Sequence, residues 1–511
     1  MTHSARVSSS ARIAVAVVVV LLLTACGSSL EPEEVALARG SSTVVAPSTV
    51  GGADPSDALL GANPEAGPAS SIETDSIPAT PAGSALAGSD AAIPGDGSKP
   101  VVADSTEDGG DVESPTDSEG SEVEGPTGRG VAEGSCEGFQ NGVGISDDTI
   151  LIGNASDISG PIPGLFQQTQ DALDAYVAYF NATNDICGRK LEVKAYDSRT
   201  DASADQQVYT QACTEVFAMV SSASAFDSGG AKAAQDCGLP DLRTNSLTRA
   251  RNECTTCFGV NSTDAGQFEN IVPDTIIKDY GGGQRAAMLY INAGAAAENG
   301  ITQAKAGTKR GMKYVYQSGI DIAEFNYAPF VRRLIDNDVE SLQFVANDST
   351  FVRMAMAMQQ QNYKPEVWML DPSAYTPAFV ETGGDAVEGV VVFMNFTPFE
   401  EAASNPELSL YLAWLSQVNP NAKPGFFGVF AWSAARLFVE TSLRLGGRLS
   451  RQSLVDAIRK VDDWSGNDIH APQHVGPKQV SDCWRFIKLV RGEWIPVGGR
   501  AYRCAGVTTV G

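Results

Sequence analysis

Thr149-Ile150-Leu151-Ile152-Gly153 is a short aliphatic run closed by a glycine, and the succession of elements it begins decides the fold. An apolar run without polar alternation reads as a strand buried on both faces, the condition of a parallel sheet covered by helices. Over residues 165–180 the apolar positions Leu173, Tyr176, Val177 and Phe180 then recur at helical spacing. The next strand is expected at 191–196 and the next helix at 204–217. Phe217-Ala218-Met219-Val220 leads into a serine-rich turn, a helix to Gln235 and a strand at 239–242. This βαβαβαβ succession predicts an α/β fold whose parallel sheet has helices on both faces.

A second series comes next. Strands are expected at 286–291, 312–316, 342–346, 367–370 and 389–393, separated by helices over 267–278, 300–309, 327–337, 351–361 and 377–381. After Pro398, helical segments over 406–415, 427–445 and 450–461 have no matching strands and are expected to return to the first lobe. Residues 483–489 and 493–496 read as a hairpin. The folded part is too long for one small core and suits two lobes: 144–260 with 398–478, and 261–397 with 479–511.

Ahead of this part the composition changes. Between Gly27 and Gly134, twenty Asp and Glu against three Lys and Arg account for −17 of the formal net charge of −26. With almost no aromatic residue, this stretch cannot bury enough apolar surface to offset its ordering entropy, so 26–134 is expected to be a disordered tether. A flexible coil of that length spans roughly 55–60 Å; a mucin-like stalk is the other reading of such a composition. Arg6 and Arg12 precede an apolar run over 13–23 that is too short to span a bilayer, and 1–25 reads as a signal peptide. Leu23-Thr24-Ala25-Cys26-Gly27 resembles the bacterial lipobox, in which the Cys26 thiol carries a diacylglycerol; cleavage at an ordinary small-residue site is the alternative. The expected location is the extracytoplasmic face of the cell membrane, lipid-anchored. The chain lacks the basic footprint that nucleic acid requires.

Of nine cysteines, eight remain once Cys26 is set aside, an even number suited to an oxidising exterior. Their separations suggest Cys136 with Cys187, Cys213 with Cys237, Cys254 with Cys257 and Cys483 with Cys504, among about 105 possible connectivities. Cys254-Thr255-Thr256-Cys257 also fits a redox dithiol or half of a zinc site, although no second CxxC or His pair accompanies it.

Little supports catalysis. His3 leaves with the signal, and Pro472 between His470 and His474 argues against the helix that would make their spacing a metal site; both are expected in exposed loops. No G-x-S-x-G elbow, Walker loop or H-E-x-x-H occurs, and the glycines at 281–283 precede a strand and read as a turn. No catalytic residue, metal or cofactor is expected. Polar residues do stand at the carboxyl ends of the expected strands, where open α/β sheets bind ligands. Ser222 and Ser224 precede a helix whose first amides favour an anion; Thr244, Ser246 and Thr248 follow the next strand. Asn347, Asp348 and Asp371 stand at strand ends of the second lobe. Any of these could be a helix cap. As a set they place hydroxyls on one lobe and carboxylates on the other, the division an α-amino acid requires.

From Gly144 onward the chain resembles the type I periplasmic binding proteins of the leucine/isoleucine/valine- and amide-binding branch. The carrying strings are Ile152-Gly153 with Ser159-Gly160-Pro161, Leu191-Glu192-Val193 with Tyr196-Asp197-Ser198, and Cys237-Gly238-Leu239-Pro240. The resemblance implies two Rossmann-like lobes with parallel sheets joined by a three-crossover hinge. It also implies a monomer that encloses a small polar solute, such as a branched-chain amino acid or amide, and delivers it to an ABC permease. A ligand-sensing receptor module on the cell surface is the alternative. By the same resemblance Ser224 stands at the serine that holds the ligand carboxylate and Ser246 and Thr248 near further contacts. Asp371 stands at an acidic ammonium partner, and Phe166 beside a residue that walls the ligand. Leu242-Arg243-Thr244-Asn245 departs from the small residues usual there, which puts the ligand's identity in question.

Overall fold

The run beginning at Thr149 forms β1 (Thr149–Ser156), buried from residue 152 on because α1 (Gln167–Thr183) and its neighbours cover the sheet. Next come β2 (Lys190–Asp197), α2 (Ala202–Glu215), β3 (Ala218–Val220), α3 (Ser228–Asp236), β4 (Asp241–Asn245), α4 (Arg249–Glu253) and β5 (Cys257–Asn261). The five strands are parallel in the order β2-β1-β3-β4-β5, so the winding reverses between β1 and β3. The computed structural model describes residues 132–510. The expected signal peptide, Cys26 and the tether up to residue 131 lie outside the described residues.

The chain then passes through β6 (Gln267–Glu269) and α5 (Ile271–Tyr280), which ends at Gly281 in the left-handed region, φ +71°. The triple glycine is thus a helix stop and turn, as its position before a strand implies. The second sheet is built from β7 (Ala286–Ile291), α6 (Gly294–Lys309), β8 (Tyr314–Ile320), α7 (Ala328–Asp336), β9 (Ser341–Val345), α8 (Asp348–Gln360), β10 (Val367–Leu370), α9 (Pro377–Gly383) and β11 (Val391–Met394). Its parallel part runs β8-β7-β9-β10-β11, the winding of the first sheet repeated. After α10 (Pro406–Val418), α11 (Phe426–Leu445) and α12 (Arg451–Ile458), the chain adds β12 (Cys483–Val490) and β13 (Glu493–Val497) antiparallel to that sheet's β11 edge. It closes with β14 (Arg503–Cys504) on β12 and β15 (Val507–Thr509) on β6.

Helix α11 is apolar nearly all round and accordingly buried on nearly every side. It packs on α1 and β4, and Ser221 Oγ donates to Ala431 O at 2.7 Å. Arg451 of α12 donates to the carbonyls of Cys213, Val216 and Phe217. Between α10 and α11, the buried Glu407 accepts from Arg436 Nη2 at 2.5 Å and from Trp432 Nε1 at 2.5 Å. No helix among the described residues is long and apolar enough to cross a membrane.

Three crossovers join the lobes, leaving Asn261, leaving Met394 and entering Cys483, and they run side by side. Asn395 Nδ2 donates to Asn261 Oδ1 at 3.0 Å, Ala471 N to Asn395 O at 2.7 Å, and Ser262 N to Gln473 Oε1 at 3.0 Å. His470 sits in this hinge and corrects the expectation of an exposed loop histidine. It is 2 % exposed, stacks on Phe430 and shares a 2.7 Å hydrogen bond with Ser433. Burial pulls its pKa down to about 4, so the ring is neutral at pH 7. His474 lies nearer the surface, 2.5 Å from Asp462.

All eight described cysteines pair as their separations suggest: Cys136–Cys187, Cys213–Cys237, Cys254–Cys257 and Cys483–Cys504. The first fastens the entry segment to the loop before β2, while Gly134 N donates to Leu443 O and Gly447 N to Ser135 O.

Candidate ligand cleft between the lobes

The carboxyl ends of both parallel sheets face a common cavity of about 810 Å³. The loops after β1, β3 and β4 supply one wall, those after β7, β8, β9 and β10 the other, and β6 and the first turn of α11 complete it. The lobes also touch. Ala295 N donates to Ala225 O at 2.9 Å, Asn299 Nδ2 to Leu247 O at 3.3 Å, and Arg249 N to Glu298 Oε2 at 2.8 Å. Gly294 permits this approach: its φ is +50°, and a Cβ there would overlap the Ala225 carbonyl oxygen.

Of the nine expected ligand residues, Phe166, Asn347, Asp348 and Asp371 line the cavity. Ser222, Ser224, Thr244, Ser246 and Thr248 are buried behind the wall and are not among its lining residues. Ser222 Oγ accepts from Ala155 N at 3.0 Å, Ser224 Oγ from Phe226 N at 3.2 Å, and Thr244 Oγ1 donates to Ser221 O at 3.0 Å. Thr248 caps α4 and donates to Asp227 Oδ1 at 2.6 Å.

The anion expected near the serine-rich turn is the protein's own. Asp157 accepts from Ser198 Oγ at 2.5 Å, Thr200 N at 2.9 Å and Ala225 N at 2.8 Å. Asp227 likewise occupies Leu247 N at 2.8 Å and Thr248 N at 3.2 Å. Arg243 turns away from the cleft into a fully buried network. It donates to Tyr209 Oη and to Asp241 at 3.2 Å, while Arg251 bridges Asp241 and Asp205, each at 2.9 Å. Desolvation pushes the Asp205 carboxyl up to about 6 against the pull of the two guanidinium groups.

Sequence reasoning missed Glu269, because 267–278 read as one helix; the structure makes its first three residues a strand and aims them at the cavity. The signal was there as a lone acid between Phe268 and Asn270-Ile271-Val272. Burial pushes the Glu269 carboxyl up to about 8, with the charge of Asp371 adding to the rise, and burial likewise takes Asp371 up to about 6. An unfolded glutamate titrates near 4.3. Between that value and about 8 the folded state binds the extra proton, so stability falls as pH rises through this window. The E269Q variant should lose this share: its melting temperature is expected to fall less between about pH 5 and about pH 8 than that of the native protein. Equal slopes would refute a buried neutral acid.

Two doubly wound lobes closing on a cavity at their strand ends define a hinged binding protein. The family model described as periplasmic binding protein matches residues 149–493, more than half of the chain. The chain belongs to the periplasmic binding protein family. Among solved structures it is similar to a fatty acid ABC transporter substrate-binding protein from Thermomonospora curvata, with TM-score 0.62, 18% identity, and coverage of 72% of this chain and 96% of that one. It is also similar to a branched-chain amino acid transporter substrate-binding protein from Streptococcus pneumoniae in complex with isoleucine, with TM-score 0.60, 12% identity, and coverage of 70% and 100%. A third is a solute-binding protein of an ABC transporter from R. palustris in complex with 4-hydroxybenzoate, with TM-score 0.57, 16% identity, and coverage of 71% and 98%. No curated protein sequence matches the chain.

Proposed function

We propose that the protein is the extracytoplasmic solute-binding component of an ABC importer, capturing a small organic molecule between its lobes without transforming it. The observation that carries this reading is the cavity at the facing strand ends, closed on one rim by direct contact between lobes. Residues 144–260 with 398–478 form one jaw and 261–397 with 479–511 the other. In the same reading Cys26 holds the protein at the membrane by a lipid, supported by the string Leu23-Thr24-Ala25-Cys26-Gly27, and a membrane-embedded permease receives the solute.

Capture by closure means that the solute stabilises the state in which the jaws touch. Titration calorimetry of the purified protein against a broad metabolite panel should find one-to-one binding; silence across the panel would refute the role. G294V places a branched side chain against Ala225 O and disfavours contact between the jaws. Apparent affinity for any captured solute is expected to drop roughly tenfold or more, through loss of the closed population. An unchanged affinity would show that closure does not contribute.

A further inference from the structure

This inference rests on the solute-binding reading and concerns the chemistry of the solute. The first-lobe amides that an anionic head would need are in use, since Asp157 holds those of Thr200 and Ala225 and Asp227 holds those of Leu247 and Thr248. Among the described residues one lining side chain is a cation, Arg353. It is exposed and donates to Thr350 Oγ1 at 3.2 Å. Asp264, Glu269, Glu324, Asp348 and Asp371 share the lining with it.

Among the lining residues the buried side-chain atoms without partners are the amide oxygens of Gln168, Asn245 and Asn347, which accept, and the Thr200 hydroxyl, which can do either. Glu269 is 4 % exposed and, among the described residues, has no ion pair and no hydrogen bond from another residue's side chain. Asp371 lines the same cavity, and its charge adds to the rise in the Glu269 pKa that burial causes. Asn245 is 1 % exposed and its Oδ1 has no donor. A buried carboxyl without a cation is unfavourable when ionised, and a buried acceptor without a donor is a deficit that a ligand can make good. Aromatic rings surround these groups. Phe393 lies 6.2 Å from Phe268 and 5.4 Å from Trp484, and Phe166 lies 4.7 Å from Phe427, centroid to centroid. Aromatic faces attract cations as well as apolar groups. The volume of about 810 Å³ leaves room for a body larger than an amino-acid side chain.

We infer that the solute is an amphipathic organic cation, a protonated amine without a carboxylate of its own. Its amine is seated at Glu269 and Asp371 and its apolar body lies against the aromatic wall. Octylamine, octanol and octanoate test this with one body and three heads, and leucine adds the amine with a carboxylate beside it. Calorimetry at neutral pH on the native protein should find octylamine binding about tenfold tighter than octanol and tighter still than octanoate or leucine. E269Q and D371N should each weaken octylamine roughly 30-fold or more and octanol far less, with an unchanged circular dichroism spectrum reporting an intact fold. Octanoate or leucine binding as tightly as octylamine would overturn the cation assignment and leave the solute-binding role standing. So would octylamine binding that both variants leave intact. A protein that binds neither these probes nor any metabolite would lose the role itself.

Discussion

Replacing Arg251 with methionine is expected to destabilise the protein by about 3–5 kcal/mol, among the largest effects available to a single substitution in this chain. The guanidinium bridges Asp205 and Asp241 at 2.9 Å each, and its Nε donates to Asp227 O at 2.8 Å, all with no exposed surface. Removing it leaves Asp205 with no cationic partner within salt-bridge distance and Asp241 with Arg243 alone, in a setting where water cannot replace the lost charge. Asp205 already lies near the balance point, its carboxyl raised to about 6, so the variant should take up a proton there and lose further stability as pH rises above neutral. The double variant R251M/D205N should recover part of the loss, because the orphaned charge goes with its partner. Denaturant unfolding measures all three proteins. A loss below about 1 kcal/mol for R251M would mean that the network is hydrated and contributes as little as a surface pair.

Loss of the Cys136–Cys187 disulfide is the second large effect. It spans 51 residues, and the loop-closure entropy it removes from the unfolded chain corresponds to about 4 kcal/mol. Cys254–Cys257 spans three residues, for which the same relation gives about 1.5 kcal/mol. The paired variants C136S/C187S and C254S/C257S should therefore differ clearly in denaturation midpoint, the first being the weaker. Equal midpoints would mean that the unfolded chain is not the state these links constrain. The first pair has a local consequence too, since it fastens a segment that also makes backbone hydrogen bonds to the end of α11.

The parallel strands were legible because they are buried on both faces and appear as uninterrupted apolar runs: 286–291 and 367–370 match their strands residue for residue. Edge strands were legible unevenly: β2 and β13 lie within a residue of their expected bounds, whereas β8 and β5 do not. The strand expected at 312–316 lies at Tyr314–Ile320, since β8 closes the sheet and tolerates Gln317 and Ser318 on its open side. Strand β5 escaped notice because a disulfide turn precedes it and a glycine interrupts its short run. The cleft was half legible. Asp371 and Asn347 follow strands of the second lobe and reach it. A serine before a helix, however, looks the same whether the anion at that helix comes from a ligand or from Asp157, 68 residues earlier in the chain than the amide of Ala225. His470 was misread for a related reason, because polarity and a nearby proline indicate a loop but not whether that loop is buried between other elements.

The order in which the chain visits its lobes has a consequence for biogenesis. The strands of the first sheet have all been synthesised by Asn261, yet the helix that shields β4 begins only at Phe426, after the whole parallel part of the second sheet has been made. A growing polypeptide therefore carries one unfinished apolar face through most of translation, and contacts such as Ser221 with Ala431 bring together residues 210 apart. Such distant closures are slow to form and prone to self-association until they do. A chain that stops before Phe426 leaves the first half without its cover.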